Sequence, residues 1–183
     1  MRFKLIELRE SQPEIVFVWN KWAPIKVNFL AWSLWLGRLP SKDNLIFRNV
    51  NLQSTSCDIC GLDEESPEHV FGSCIITSQV WEAISQWCRI SCFFFFSVTD
   101  LPILYQSLRG DMGWKLAVQL VFFMTFWGLW RNRNNAVFNS KRTSAKHLFE
   151  EIRYPSFLWI KNRSRNLTLS WGDWCDFNIS CMF

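Results

Sequence analysis

Histidine is almost missing from this chain: 183 residues hold two, His69 and His147. One stands at metal-ligand spacing from cysteines and the other in a polar, helix-forming stretch, so neither is placed as a general base beside a nucleophile. Glycine is sparse too, seven residues in all, and no glycines gather into a phosphate-cradling loop. The first thirteen residues lack an apolar run and carry Arg2, Lys4, Glu7, Arg9 and Glu10. No secretory leader is expected there, and the sequons Asn166-Leu167-Thr168 and Asn178-Ile179-Ser180 read as chance. These absences argue against acid–base catalysis, nucleotide-phosphate chemistry and secretion.

What is abundant is apolar. Hydrophobic residues make up 49% of the chain, with twelve Trp and seventeen Phe, and the net charge is a mild +4. That composition supports one packed domain, or one with an extension, and excludes global disorder. So many rings imply a large core or an apolar face meant for a partner.

The most informative stretch is residues 57–74, CDICGLDEESPEHVFGSC. Cys57 and Cys60 form a Cys-x-x-Cys turn, Gly61 allows it to close with positive φ, and His69 and Cys74 follow at ligand distance. Three thiolates and an imidazole are the donor set of a closed tetrahedral site, and softness selects zinc over magnesium or calcium. A redox dithiol would want a strand before it and a helix directly after, whereas an acidic loop follows; two buried thiols would not explain His69 and Cys74. Ser66 reads as an N-cap with Pro67 at the first helical position. Five residues of regular helix turn about 500°, so His69 and Cys74 cannot share a face without a break, expected near Gly72. The other cysteines, Cys88, Cys92, Cys175 and Cys181, read as free thiols, which suits a reducing intracellular compartment, nucleus or cytoplasm.

Elsewhere the pattern is helical. A weak strand is possible at residues 15–18. A helix is predicted from Pro24 over residues 25–36, ending near Gly37, with Val27, Leu30, Ala31 and Leu34 on one face and Phe29, Trp32 and Trp35 as a second covered stripe. A second helix starts with Ser41 as N-cap, turns Leu45 and Ile46 inward and ends before Val50. Residues 78–88 present Val80, Trp81, Ile84 and Trp87 together. The run Phe93 to Phe96 fits either a buried turn or a sticky patch, and turn signals near Asp100 to Pro102 and Gly110 to Gly113 mark a boundary. Residues 114–138 form the longest helix. Its apolar section, residues 116–130, covers about 22 Å at 1.5 Å per residue, short of a ~30 Å hydrocarbon core, so a central helix wrapped by others is expected rather than a membrane span.

Residues 131–165 hold nine Lys/Arg against Glu150 and Glu151, a net +7 that leaves −3 for the rest. If RNA or DNA binds, this tail grips the phosphates, through Arg131, Arg133, Arg163 and Arg165, and the acidic metal loop does not. Phe149, Tyr154, Phe157 and Trp159 could stack on bases; the favoured reading is a helix over residues 144–162 with Phe149, Ile152, Phe157 and Ile160 inward.

Several motifs combine into a resemblance. Trp22-x-Pro24-x-Lys26-x-x-Phe29-x-x-Trp32, Gly37-Arg38-Leu39-Pro40-Ser41-x-x-x-Leu45, Cys57-x-x-Cys60, Glu68-His69-Val70-Phe71-x-x-Cys74 and Val80-Trp81 together resemble the zinc-binding domain of plant reverse transcriptases. That module follows the polymerase in non-LTR, LINE-type retrotransposon polyproteins. The likeness runs from about Trp19 to Trp87. Trp127-x-x-Trp130-Arg131-Asn132-Arg133-Asn134-x-x-x-Phe138 is similar to a helix that often follows. The resemblance implies the ligand role for Cys57, Cys60, His69 and Cys74. Ser41 stands where the family often has Thr, which keeps the capping hydroxyl. A polymerase would need paired aspartates in a Tyr-x-Asp-Asp turn, and no Asp-Asp occurs; an RNase H domain would need carboxylates on a sheet, and no strand series follows Phe138.

The expectation is a mostly α, zinc-stapled fold: a Cys3His knuckle-like loop within a zinc-binding domain at residues 19–90, and a C-terminal helical region with a basic tail at residues 111–165. It would hold Zn2+, catalyse nothing, and act structurally or on RNA or DNA. A reverse transcriptase domain or another protein is a further possible partner, no membrane is expected, and the rival reading is a protein-interaction module using the aromatic surface.

Overall fold

The computed structural model describes residues 16–91, 108–164 and 168–179. The Phe93 to Phe96 run, Asp100 to Pro102, Cys92, Arg165, Cys181, Asn166 and Ser180 lie outside the described residues. The elements are α1 (Ile25–Trp35), α2 (Lys42–Phe47), a π turn (His69–Ser73), α3 (Ile75–Cys88), α4 (Met112–Asn139), α5 (Ala145–Arg163) and α6 (Trp171–Cys175). The fold is mostly helical, as expected, and among the described residues the sole β feature is an isolated bridge between Ser56 and Glu64. Residues 16–18 form no strand; Phe17 instead packs its ring on Trp35 and Phe123.

α1 starts after Pro24 and stops where Gly37 takes φ +63°. Gly37 N donates to Leu34 O and Arg38 N to Ser33 O, which satisfies two of the last carbonyls in a Schellman end. Val27, Leu30, Ala31 and Leu34 are buried as predicted. The second stripe is covered in part: Trp32 and Trp35 are half-buried, Trp35 under the Phe17 ring, while Phe29 is 57% exposed.

α2 departs from expectation at its start. Ser41 occupies the N-cap position, but its hydroxyl donates to the Asp43 carboxylate and gives no cap bond. Glu65 does that work from the metal loop: its Oε1 accepts from Lys42 N (3.1 Å) and its backbone O from Asp43 N (3.2 Å). Six residues make less than two turns, and Ile46 faces outward at 44% exposure while Leu45 is half-buried. Val80, Trp81, Ile84 and Trp87 of α3 are all buried, as their spacing predicts.

α4 runs through the middle, and its residues 116–126 are buried without interruption. Asp111 caps it by accepting from Trp114 N at 2.7 Å. Its interior polar residues each have a packing role. Gln119 donates to Val18 O (2.7 Å) and accepts from Asn20, whose amide also donates to Leu116 O (2.7 Å). Thr125 donates to Val121 O. Gly128 lets α5 approach, since a Cβ there would sit 3.0 Å from Ile152. By length and composition α4 could cross a membrane, and 61% of its most apolar window is buried within the fold.

α5 is capped by Ser144 and buries Leu148, Ile152, Ser156, Phe157 and Ile160, with Phe149 packed at the margin. α6 begins with a capping box between Ser170 and Asp173. Its Trp174 meets Trp87 edge-on at 5.0 Å, Trp87 Nε1 donates to Trp174 O, and Trp174 Nε1 to Arg153 O. Each indole N–H is thus satisfied inside the core. One cluster of buried side chains joins α1, α3, α4, α5 and α6.

Candidate metal centre

Backbone geometry builds the first half of the site. Cys57 N donates to Asp63 O and Gly61 N to Cys57 O, both at 2.8 Å, while Glu65 N donates to Thr55 O at 2.9 Å. Gly61 has φ +73°, where an L side chain is strained. The result is a small hairpin that aims Cys57 and Cys60 at one point, and Leu62 N approaches the Cys60 sulfur at 3.5 Å.

The second half comes from a widened helical turn. Ser66 Oγ accepts from His69 N at 3.0 Å, the N-cap bond expected from the sequence. The expected break at Gly72 takes another form. Residues 69–73 adopt π geometry, closed by Cys74 N donating to His69 O at 2.8 Å. The i→i+5 turn places His69 and Cys74 nearly above one another, which α geometry would not allow. Cys74 itself is extended, with ψ 135°, and serves as N-cap of α3.

Together the sulfurs of Cys57, Cys60 and Cys74 and a ring nitrogen of His69 lie within 4.8 Å of one another. Cys60 Sγ and His69 Nε2 are 3.3 Å apart. Zn–S near 2.3 Å and Zn–N near 2.0 Å in a tetrahedron imply S···N edges of about 3.5 Å, so the donor set fits Zn2+ in type and spacing. Cys57, Cys74 and His69 are buried and Cys60 half-buried. The Cys57 thiol is pushed up, first by its hydrogen bond with Cys74 and then by burial. Cys74 is held down, first by that same bond and also by the N–H groups of Ile76 and Thr77 in the first turn of α3. A cation bound there would take both sulfurs as thiolates and displace their protons. Cys88 lies elsewhere in the core, where burial pushes its thiol well up.

Three surrounding contacts could not be read from the sequence. His69 Nδ1 faces Ser73 Oγ at 3.4 Å and the Asp63 carboxylate at 3.7 Å, which orients Nε2 toward the sulfurs. Lys42 Nζ reaches Asp58 (2.7 Å) and Ser56 O (2.6 Å), tying α2 to the hairpin. Glu65, whose side chain is 0% exposed, accepts from Arg133 Nε (3.0 Å) and Nη2 (2.6 Å). Apolar contacts reinforce that link: Ala136 packs with Cys57, Ile59 and Cys74, and Phe71 stacks on Trp130 at 6.0 Å.

Arg133 is therefore a correction to the phosphate-gripping set, because its guanidinium is buried against Glu65 and over the Trp130 ring. Arg131 is exposed on α4. Arg163 is exposed at the end of α5, 4.7 Å over Trp159, and donates to Ala23 O. Of the aromatic residues of α5, Phe157 is buried, Phe149 and Trp159 are half-buried and Tyr154 is exposed beside Trp171.

Residues 3–81 match the family model described as zinc-binding in reverse transcriptase. All four clustered ligands fall within that span. No curated protein and no solved structure gives a match.

Proposed function

We propose that this chain is a non-catalytic, zinc-ordered module of a retroelement reverse transcriptase protein, of the plant non-LTR type that its motif combination resembles, and that its helical part contacts RNA or DNA. The observation that carries the metal reading is the convergence of Cys57, Cys60, His69 and Cys74 inside a segment matching a zinc-binding family. Bound there, Zn2+ would supply positive charge that holds thiolates in a buried setting and cross-links the hairpin to the start of α3. The chain's own part is orientation. Ser66 fixes the entry of the helical turn, the π turn sets His69 beside Cys74, and the acceptors Ser73 Oγ and Asp63 beside Nδ1 favour the tautomer that leaves Nε2 to ligate.

The nucleic-acid reading is supported by exposed cations on and around α4 and α5, among them Arg131, Lys141, Arg142, Lys146, Lys161 and Arg163. A protein partner is the second reading, supported by exposed Ile25 and Phe29 on α1 and Phe47 at the end of α2. Elemental analysis of native protein should find one zinc per chain, lost in Cys57→Ser. Binding of labelled oligonucleotides across a salt series should show a steep log–log slope. Zinc-free native protein would sink the metal reading, and absence of oligonucleotide binding at low salt would leave the protein partner.

A further inference from the structure

The loop before α1, the middle of α4 and the end of α5 border two adjoining hollows that share Pro24, Lys26 and Trp159, the larger one shallow and open. Together they form a groove that the metal site does not use. Its wider part, about 800 Å³, is lined by Trp19, Lys21, Lys26, Trp159 and Arg163 among others. Its narrower part, about 200 Å³, continues past Pro24, Lys26 and Trp159 to Trp127 and Arg131. The charge is one-sided: Lys21, Lys26, Arg131 and Arg163 line it, against one carboxylate, Glu151, which lies 3.3 Å from His147. The cations alternate with indoles. Lys26 Nζ lies 5.1 Å from the Trp127 ring centre and the Arg163 guanidinium 4.7 Å over Trp159.

We infer that this groove is a binding site for single-stranded nucleic acid, with Lys21, Lys26, Arg131 and Arg163 on phosphates and the Trp127 and Trp159 rings, with the Arg163 plane, as stacking platforms for bases. This deepens the nucleic-acid reading above and rests on it. Cationic grooves interleaved with aromatic residues suit unpaired bases, whose faces are free to stack; a duplex hides those faces and offers phosphates alone. An acidic peptide would satisfy the cations, but acidic side chains bring no aromatic faces to stack on the indoles. Unlike the expectation from charge along residues 131–165, the groove recruits Lys21 and Lys26 from the other end of the chain and excludes Arg133.

The test uses the full zinc-loaded chain and short fluorescent single-stranded RNA and DNA, a duplex, and an oligoglutamate peptide. Lys26→Gln/Arg131→Gln/Arg163→Gln should flatten the log–log salt slope for single strands by roughly 2, at ~0.7 per lost phosphate contact. Trp159→Leu should weaken binding about tenfold and leave that slope unchanged. Lys141→Gln/Arg142→Gln/Lys146→Gln, outside the groove, should change affinity less than the groove variant. Oligonucleotide added to wild-type protein should protect amides of residues 19–28 and 156–163 from hydrogen exchange, a readout that needs no variant. Binding that survives the groove variant, follows the 141–146 variant, or leaves those amides unprotected overturns the site but not the nucleic-acid reading. Equal affinity for duplex, or preference for oligoglutamate, overturns the single-strand assignment, and no oligonucleotide binding by wild-type protein overturns both.

Discussion

Replacing Glu65 by Gln changes one atom type and should be among the most damaging surface-neutral substitutions in the protein. The side chains of Glu65 and Arg133 are 0% and 4% exposed, so neither charge can fall back on water. Gln keeps an oxygen for Lys42 N, so the start of α2 retains its acceptor. What disappears is the charge that neutralises a buried guanidinium, and breaking such a pair on one side costs about 3–5 kcal/mol. Against a typical total of about 5–15 kcal/mol that is about a fifth of the stability or more. At about 2–4 °C per kcal/mol for a chain of this size, the melting temperature should fall by about 6–20 °C. Arg133→Met should cost a similar amount by stranding the carboxylate. The pair is not ideally made, since Glu65 Oε2 is buried without a hydrogen-bond partner. Glu65→Gln/Arg133→Met should therefore be milder than either single change, because replacing both halves of an imperfect buried pair removes its desolvation cost as well. Urea unfolding of all four proteins with saturating zinc, followed by tryptophan fluorescence, measures the cycle. A Glu65→Gln cost below about 1 kcal/mol, or a double variant that costs the sum of the singles, would refute the reasoning.

Chelation should unfold the protein in part: hydrogen-exchange protection should vanish first in residues 57–74, where the one large aliphatic residue between Cys60 and His69, Leu62, is 75% exposed, while the continuously buried centre of α4 keeps its helix. Equal loss along the whole chain would make the metal a global folding switch instead. Asp63→Asn and Ser73→Ala should each weaken zinc binding by about tenfold without changing its stoichiometry, measured by competition with a chromophoric chelator, since both act on the far nitrogen of His69. Unchanged affinity in both would remove them from the site.

The candidate ligands were legible because zinc chemistry leaves a signature in residue type and short-range spacing, and all four fall into one cluster that could hold a metal. The helix ends were legible for a similar reason: Ser66 and Gly37 act on atoms a few residues away. The turn between His69 and Cys74 was legible only as a geometric conflict. Spacing demanded a departure from α geometry, but a chain break and an inserted π turn satisfy it equally. Arg133 was misjudged because its neighbours Arg131, Asn132 and Asn134 make it look solvated, while its partner stands 68 residues away. Ser41 shows the same limit in reverse, since its local sequence suits a cap and a distant carboxylate supplies one. Phe29 satisfied a helical period and still faces outward, because periodicity places residues on a face without saying whether anything covers it.

The link between Glu65 and Arg133 also imposes an order in time. A ribosome adding about 5–20 residues per second needs about 3–14 s to pass from one to the other. For much of that interval, from the making of Cys74 until Met112, Cys57, Cys60, His69 and Cys74 exist while α4 does not. A nascent chain that captured its metal then would hold a cross-linked loop carrying an acidic side chain with no counter-charge, and an open flank where Ala136 and Trp130 will later pack. Metal capture and docking are therefore separable events in synthesis, and the second completes the burial that the first leaves open.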